Sequence, residues 1–261
     1  MPTDKHSLQH KTVLVTRPQG LQHTLCRLLR DAGARPLHYP AIAITAPASN
    51  RSRVHAREHF SDFDIAIFIS PTAVRTTLEF MDVDDRSCRL AAIGSRSQRA
   101  LEQAGLTVSI VPPGHDSESL LQHPALQADS VSGRNIVIFR GEDGRDILAQ
   151  SLRQRGASVH YAAMYSRVCP QHSQPFDTAF IQGLDAITIS SNEGLHNLHH
   201  MAEQAGAGRQ VLLHTPLCVP GPRALTLAQQ LGFRHIVRAD NATDEAMFHA
   251  AQLVFSRIAA P

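Results

Sequence analysis

The sequence predicts an α/β protein made of two doubly wound parallel-sheet domains related by internal duplication. Three observations carry this. Buried-strand patterns alternate with helix patterns along the chain, as parallel βαβ units require. The segments of one half return in the other. The helix patterns close on glycines (Gly33, Gly105, Gly156 and Gly232), where a helix C-terminus favours a left-handed residue.

The elements follow in pairs. VLVTRP (residues 13–18) reads as a strand and turn, and returns as IVIFRG (136–141). Each opens a helix in which Leu25 and Leu29, or Leu148 and Leu152, share one face by their i, i+4 spacing. Those helices end in LLRDAGA (28–34) and SLRQRGA (151–157). FDIAIFISPTAV (63–74) pairs with LDAITISSNEGL (184–195): an acid, a strand, then a serine turn into a helix. AAIGSRSQRALEQAGL (91–106) pairs with CVPGPRALTLAQQLGF (218–233): a strand, a glycine turn, a helix and a closing glycine. Each continues into a further strand, VSIVP or HIVRA, and a last helix starting near 116–118 or 243–245. Sheets of about five strands each are expected. Residues 39–45 and 164–168 hold the same place in the two copies and read as extended crossings. Residues 46–57 read as a polar, loop-like insertion.

Composition narrows the function. The 261 residues suit two domains. At 43% hydrophobic and 18% charged they sustain a real core. No apolar run reaches the length of a membrane span, and the polar start MPTDKHSLQHK lacks a signal-peptide core. A cytoplasmic protein with no membrane partner is therefore expected. A net charge of +2 without a basic tract gives no nucleic-acid surface. The basic residues are mostly Arg, which suits bidentate contacts with carboxylates. Cys26, Cys88, Cys169 and Cys218 form no CxxC and read as buried structural thiols. His196, His199 and His200 share a helix without an HExxH pattern and read as a solvated face, not a metal site. GxGxxG, the P-loop and GxSxG are absent, so nucleotide and Ser-triad chemistry find no support.

Ligands of open parallel sheets sit beyond the C-terminal strand ends. Here those ends are Arg17–Pro18–Gln19–Gly20, Ser70–Pro71–Thr72, Gly94–Ser95–Arg96–Ser97, Arg140–Gly141–Glu142, Ser190–Ser191–Asn192 and Gly221–Pro222–Arg223. They are small, hydroxylated or basic, and each opens a helix whose N–H groups and dipole favour anions. Any one of them taken alone is an ordinary cap. Lining one cleft, the set suits a ligand with many negative charges. Tyr165, in the second crossing, is either a packing residue or a donor to a leaving group. A non-catalytic two-lobed receptor for a small polyanion is the alternative class.

The ordered set VLVTRP, SPTAV, AAIGSRSQRALEQAG, SESLL, IVIFRGEDGRDILAQSLRQRGA with Tyr165 after it, ITISS and VPGPRALTLAQQLGF resembles the uroporphyrinogen-III synthase family over nearly the whole chain. The resemblance implies two flavodoxin-like domains joined by a two-stranded connection. One domain would comprise residues 1–38 and 167–261, the other 42–163. It implies cyclisation of the linear tetrapyrrole hydroxymethylbilane, an octacarboxylate, with loss of water and inversion of ring D. It implies no metal or organic cofactor, and a monomer is expected. Tyr165 resembles the tyrosine that assists water loss. Ser70, Ser97, Arg140, Gly141, Arg145 and Ser191 match the family's motif positions; with Arg17, Thr72, Gly94, Asn192, Gly221, Pro222 and Arg223 of the strand-end turns they are the expected substrate contacts. The departure is Ala224, where the family usually carries a hydroxyl; Thr226 and Arg223 are the neighbouring groups able to replace it.

Overall fold

The computed structural model describes residues 8–258 except 115, 145 and 207, so Arg145 lies outside the described residues. In chain order the first elements are β1 (Thr12–Val15), α1 (His23–Asp31), β2 (Arg35–His38), β3 (Ala43–Thr45), α2 (Arg51–Glu58), β4 (Ile65–Phe68), α3 (Pro71–Phe80), β5 (Arg89–Ala92) and α4 (Ser95–Gln103). Then come β6 (Val108–Ile110), α5 (Ser117–Leu121), α6 (Ala128–Val131), β7 (Asn135–Gly141), α7 (Ile147–Gln154), β8 (Ser158–Val168) and α8 (Thr178–Gln182). The chain closes with β9 (Ala186–Thr188), α9 (Asn192–Gln204), α10 (Arg209–His214), β10 (Leu217–Pro220), α11 (Pro222–Leu231), β11 (Ile236–Ala239) and α12 (Asp244–Ile258). Contacts among the described residues separate two compact units, within Met1–Ile44 plus Val168–Pro261 and within Thr45–Arg167.

The first unit carries a sheet in the order β11-β10-β9-β1-β2, the second β3-β8-β7-β4-β5-β6. With β3 set aside, the two orders coincide once each strand is matched to its copy. The registers coincide at the edge pairs, where Val15 opposes His38 in the first unit and Ile138 opposes Tyr161 in the second, while β5–β6 carries a shift between Leu90 and Ala91 that β10–β11 lacks. These pairings are parallel.

The start of each sheet is pinned by one device used twice. Asp185 accepts the Thr12 backbone N–H at 2.8 Å and the Lys11 ammonium at 3.3 Å. Asp64 accepts the Asn135 N–H at 2.8 Å and the Arg134 guanidinium at 2.8 Å. The acid that opens each strand pair in the sequence therefore anchors the neighbouring strand. In the first unit, Thr16 donates to the Thr188 carbonyl at 2.7 Å and Thr188 to that of Leu14 at 2.9 Å, satisfying two buried hydroxyls.

Alternation builds a core on both faces of each sheet. Val13 and Val15 join Leu25, Cys26 and Leu29 of α1 on one face, while Leu14 joins Ile187 and Leu198 on the other. In the second unit, Ile65 and Ile67 pack with Leu148 and Leu152 of α7. Phe68 stacks on Phe139 at 4.9 Å. Cys26, Cys88 and Cys218 are buried, and burial pushes the Cys88 and Cys218 thiols up to about 12. Cys169 is only half-buried, in contrast to the expectation for all four.

Two further expectations are corrected. Residues 46–57 are not an irregular insertion but contain most of α2. This helix has little apolar face, and only Ala56 is buried. It is held by polar and ring contacts: Arg53 lies 4.4 Å from the Phe80 ring centroid, and His55 stands 4.5 Å from the His160 ring. Ser52 accepts from the Ala163 N–H at its hydroxyl and from His160 Nε2 at its carbonyl. The second correction concerns α9. His196 and His200 are exposed, but His199 is 9% exposed, with Nδ1 3.6 Å from Glu203. Among the described residues no helix is long and apolar enough to cross a membrane.

Candidate active site

The two serine turns have the same local geometry. Ser70 caps α3 from an extended conformation (φ −165°, ψ 157°) and accepts the Ala73 N–H at 3.0 Å. Ser191 caps α9 at φ −160°, ψ 159° and accepts the Gly194 N–H at 3.0 Å. Each hydroxyl thus satisfies one of the unpaired N–H groups of a helix start. Thr72 and Ser191 are half-buried and Asn192 is exposed. The N–H groups of Thr72 and Asn192 belong to the helix starts, which favour anions.

The crossing residues beside these caps differ. Tyr165, on β8, is 3% exposed and its hydroxyl lies 3.2 Å from Ser70 Oγ. Its ring rests on Gly141, where an added Cβ would come within 2.9 Å of Tyr165 Cε2. A register shift between Arg140 and Gly141 brings Gly141 opposite Tyr165, and the Glu142 N–H donates to the Tyr165 carbonyl at 2.8 Å. The Arg167 guanidinium carbon lies 5.9 Å from the ring centroid. In the first unit, the residue in the place of Tyr165 is Ile42, which is 7% exposed. A Cβ on Gly194 would lie 3.9 Å from its Cδ1.

Both strand-end arginines are engaged within their own units. Arg140 is 5% exposed. Its Nη1 donates to Asp146 at 2.9 Å, its Nε to the Gly141 carbonyl at 3.1 Å, and its plane lies 4.5 Å from the Tyr161 ring. The Arg140 bond holds the Asp146 carboxyl below its ordinary range, and burial pushes the Tyr161 phenol up. Gly144 is part of the same seat, since a Cβ there would come within 3.1 Å of Arg140 Cζ. Arg17 donates to the Ala242 carbonyl at 2.7 Å and pairs with Asp244 at 2.8 Å, in the first turn of α12.

The glycine turns share a third feature. Gly94, fully extended, caps α4, and Ser97 three residues on is 1% exposed. Gly221 caps α11 at φ 96°, a left-handed value that favours glycine, and Ala224 three residues on is 2% exposed. This position points into the unit in both copies. The side chains facing outward are half-buried Ser95 and exposed Arg96 in one turn, exposed Pro222 and Arg223 in the other. Thr226 is exposed and its hydroxyl donates to the Pro222 carbonyl at 3.2 Å. Sequence reasoning missed Gly144, Asp146, Tyr161 and Asp244. The two acids carried a readable signal, an acid at a helix start close to a strand-end Arg; the other two are visible only in packing.

Two copies of one parallel α/β unit, with capped helix starts gathered at the strand ends and a single buried phenol against one cap, define a duplicated small-molecule α/β protein. The model of uroporphyrinogen-III synthase HemD matches residues 23–249, and the chain belongs to the uroporphyrinogen-III synthase family. That family comprises cyclising lyases of tetrapyrrole biosynthesis. The uroporphyrinogen-III synthase of Salmonella typhimurium is 29% identical over 92% of this chain and 100% of its own length. Among solved structures, uroporphyrinogen-III synthetase from Helicobacter pylori gives a TM-score of 0.58 at 13% identity, covering 94% of this chain and 100% of that one. A mutant uroporphyrinogen III synthase from Thermus thermophilus gives 0.56 at 17%, covering 95% and 99%. At those identities the structures speak for the fold.

Proposed function

We propose that this chain, as a cytoplasmic monomer without metal or organic cofactor, converts hydroxymethylbilane to uroporphyrinogen III. The observation that carries the reading is the seat of Tyr165, a phenol lodged against a helix cap, in a family of cyclising lyases. The pyrrole nitrogen of the terminal ring pushes electrons toward its hydroxymethyl carbon. The C–O bond breaks, the oxygen takes the Tyr165 proton, and water leaves behind an azafulvenium cation. Ring D reacts through its substituted α-carbon, giving a spiro intermediate that fragments and recloses inverted. Reclosure releases a proton from the free α-carbon of ring D, which balances the one that Tyr165 gave.

Orientation is the larger task, because unguided closure gives the uninverted isomer. The acetate and propionate arms are assigned to the helix-start N–H groups beyond Ser70 and Gly94, including that of Thr72, to that of Asn192, to the Ser191 hydroxyl and to exposed Arg223, while Gly141 and Gly221 shape their turns. Arg145, outside the described residues, is a further candidate for a carboxylate contact on the strength of its motif alone. Pro222 fixes the entry of α11. Arg17 and Arg140 act by shaping their turns, since their guanidinium groups are already engaged. Ser97 acts through its backbone turn, which leaves Ala224 no deficit to repair.

Hydroxymethylbilane consumption with isomer analysis tests the reading. Tyr165→Phe keeps the ring and removes the hydroxyl, and general acid assistance is worth about 10²–10⁴-fold. The substrate is electron-rich and loses water unaided, so a fall of about 10²-fold in kcat is expected, with the product still type III. Wild-type turnover in this variant would leave Tyr165 as packing alone. Turnover should also persist after exhaustive chelation; loss with EDTA and recovery with a metal would overturn the cofactor-free reading.

A further inference from the structure

We infer that Ser70 is a positioning residue for Tyr165 rather than a substrate contact. The inference rests on the reading of Tyr165 as a proton donor. A serine hydroxyl has one proton and two lone pairs. One lone pair of Ser70 is taken by the Ala73 N–H at 3.0 Å, so its own proton remains to be placed. The nearby acceptor is the Tyr165 hydroxyl oxygen at 3.2 Å. With Ser70 donating, the phenol proton is directed away from Ser70 and is available to the departing hydroxyl. Were Tyr165 the donor, its proton would be held by Ser70 and unavailable.

The same bond serves the next moment of the reaction. When the proton leaves, charge develops on the Tyr165 oxygen, and Ser70 already donates to it. Behind Ser70 stands the start of α3, a helix of 10 residues. The Ala73 N–H polarises the serine hydroxyl, and the helix start favours negative charge nearby. Gly141 leaves the room this ring position needs, since a Cβ there would come within 2.9 Å of Tyr165 Cε2. Ser191 makes the same cap in the first unit, but Ile42 stands at the place of Tyr165 there. The cap itself therefore does not account for the Ser70–Tyr165 contact.

Ser70→Ala removes both a helix cap and the bond to Tyr165, so its effect must be read against Tyr165→Phe. One hydrogen bond is worth roughly 2–13-fold. In the otherwise native chain, Ser70→Ala should lower kcat about tenfold while KM moves by less than about twofold. Ser70→Thr, which retains a hydroxyl and a good cap, should restore most of the turnover. In the Tyr165→Phe background, Ser70→Ala should change kcat by less than about twofold, because the group it positions is gone. Equal losses in the two backgrounds would reduce Ser70 to a cap and overturn the inference. So would an undiminished kcat in Ser70→Ala while Tyr165→Phe is impaired. Full turnover in Tyr165→Phe would instead sink the reading beneath it, so the two failures are distinguishable.

Discussion

The two units share a sheet order, a register at the edge pairs, a serine cap and an aspartate anchor, yet they differ where chemistry is expected. The second unit has Tyr165 beside Ser70 and Gly141 beneath it; the first has Ile42 near Ser191 and Pro18 in the place of Gly141. Duplication therefore supplied two similar frameworks, and the phenol beside a serine cap is found in the second; the buried phenol of the first, Tyr39, donates instead to the Gln174 carbonyl at 2.9 Å.

The largest effect is expected where the second unit makes room for that phenol. Gly141→Ala places a Cβ 2.9 Å from Tyr165 Cε2 and 3.0 Å from Cζ, inside van der Waals contact, so the ring must shift. Misplacing a catalytic group by about 1 Å can cost about 10²-fold. We expect kcat to fall by about that factor, comparably to Tyr165→Phe, with little change in KM. Native kcat in Gly141→Ala would show that the position of the phenol is not critical.

The arginines sharpen the comparison through stability. Arg140→Met loses a buried stack on Tyr161 and a bond to Asp146. The Asp146 side chain is 57% exposed, so it is not left as a buried charge. The expected loss is about 2–3 kcal/mol. Arg17→Met leaves Asp244 only 24% exposed, but at the start of α12, where the helix dipole favours it. About 1–2 kcal/mol is expected there. Urea unfolding with a probe in each unit measures both, and a larger loss for Arg17→Met would reverse the assignment.

Much of the framework was legible in the sequence. Strand alternation, the paired acids at 64 and 185 and the closing glycines at 33, 105, 156 and 232 are local patterns, and local patterns are readable. All four of those glycines have positive φ. The serine caps were legible for the same reason. What could not be read depends on contacts distant in sequence. The expectation of a polar insertion at 46–57 missed α2, whose support comes from Phe80, His160 and Ala163. The pairing of Arg17 with Asp244 and of Arg140 with Asp146 becomes visible only after folding. The burial of Ser97 likewise depends on helix phase and packing. Even His199, on a helix that was itself expected, needed packing to separate it from exposed His196 and His200.

A smaller effect should divide the units by pH. Burial holds His160 below its ordinary pKa, and His55 and His59 add to the lowering, while the bond to the Ser52 carbonyl opposes it. A base with a depressed folded value binds fewer protons folded than unfolded. Its contribution is present above the unfolded value of about 6.5 and is lost as pH falls through the folded value. The equivalent residue in the first unit is Leu37, which does not titrate. Hydrogen exchange between about pH 8 and pH 5 should therefore show α2 and β8 loosening on the acid side, with His160→Gln reducing the difference. Greater protection of α2 at the acid end would contradict the sign.

The smallest effect is expected at the third residue of the glycine turns, where the family resemblance pointed to a hydroxyl contact. Ser97 and Ala224 are equivalent and are 1% and 2% exposed. Ala224 shows that the framework accepts a methyl group in this place. Removing the Ser97 hydroxyl should therefore forfeit at most one neutral hydrogen bond, about 0.5–1.5 kcal/mol of stability. It should leave the arms of the substrate where the backbone holds them, so Ser97→Ala should keep kcat and KM within about twofold of native. A hydroxyl that reached a carboxylate would behave differently, since a hydrogen bond to a charged group is worth about 1.5–3 kcal/mol, or roughly 10–150-fold in KM. Steady-state kinetics with isomer analysis separates the two. A tenfold rise in KM, or a shift of product toward the uninverted isomer, would mean that Ser97 turns outward during turnover and that Ala224 is a true loss in the first unit.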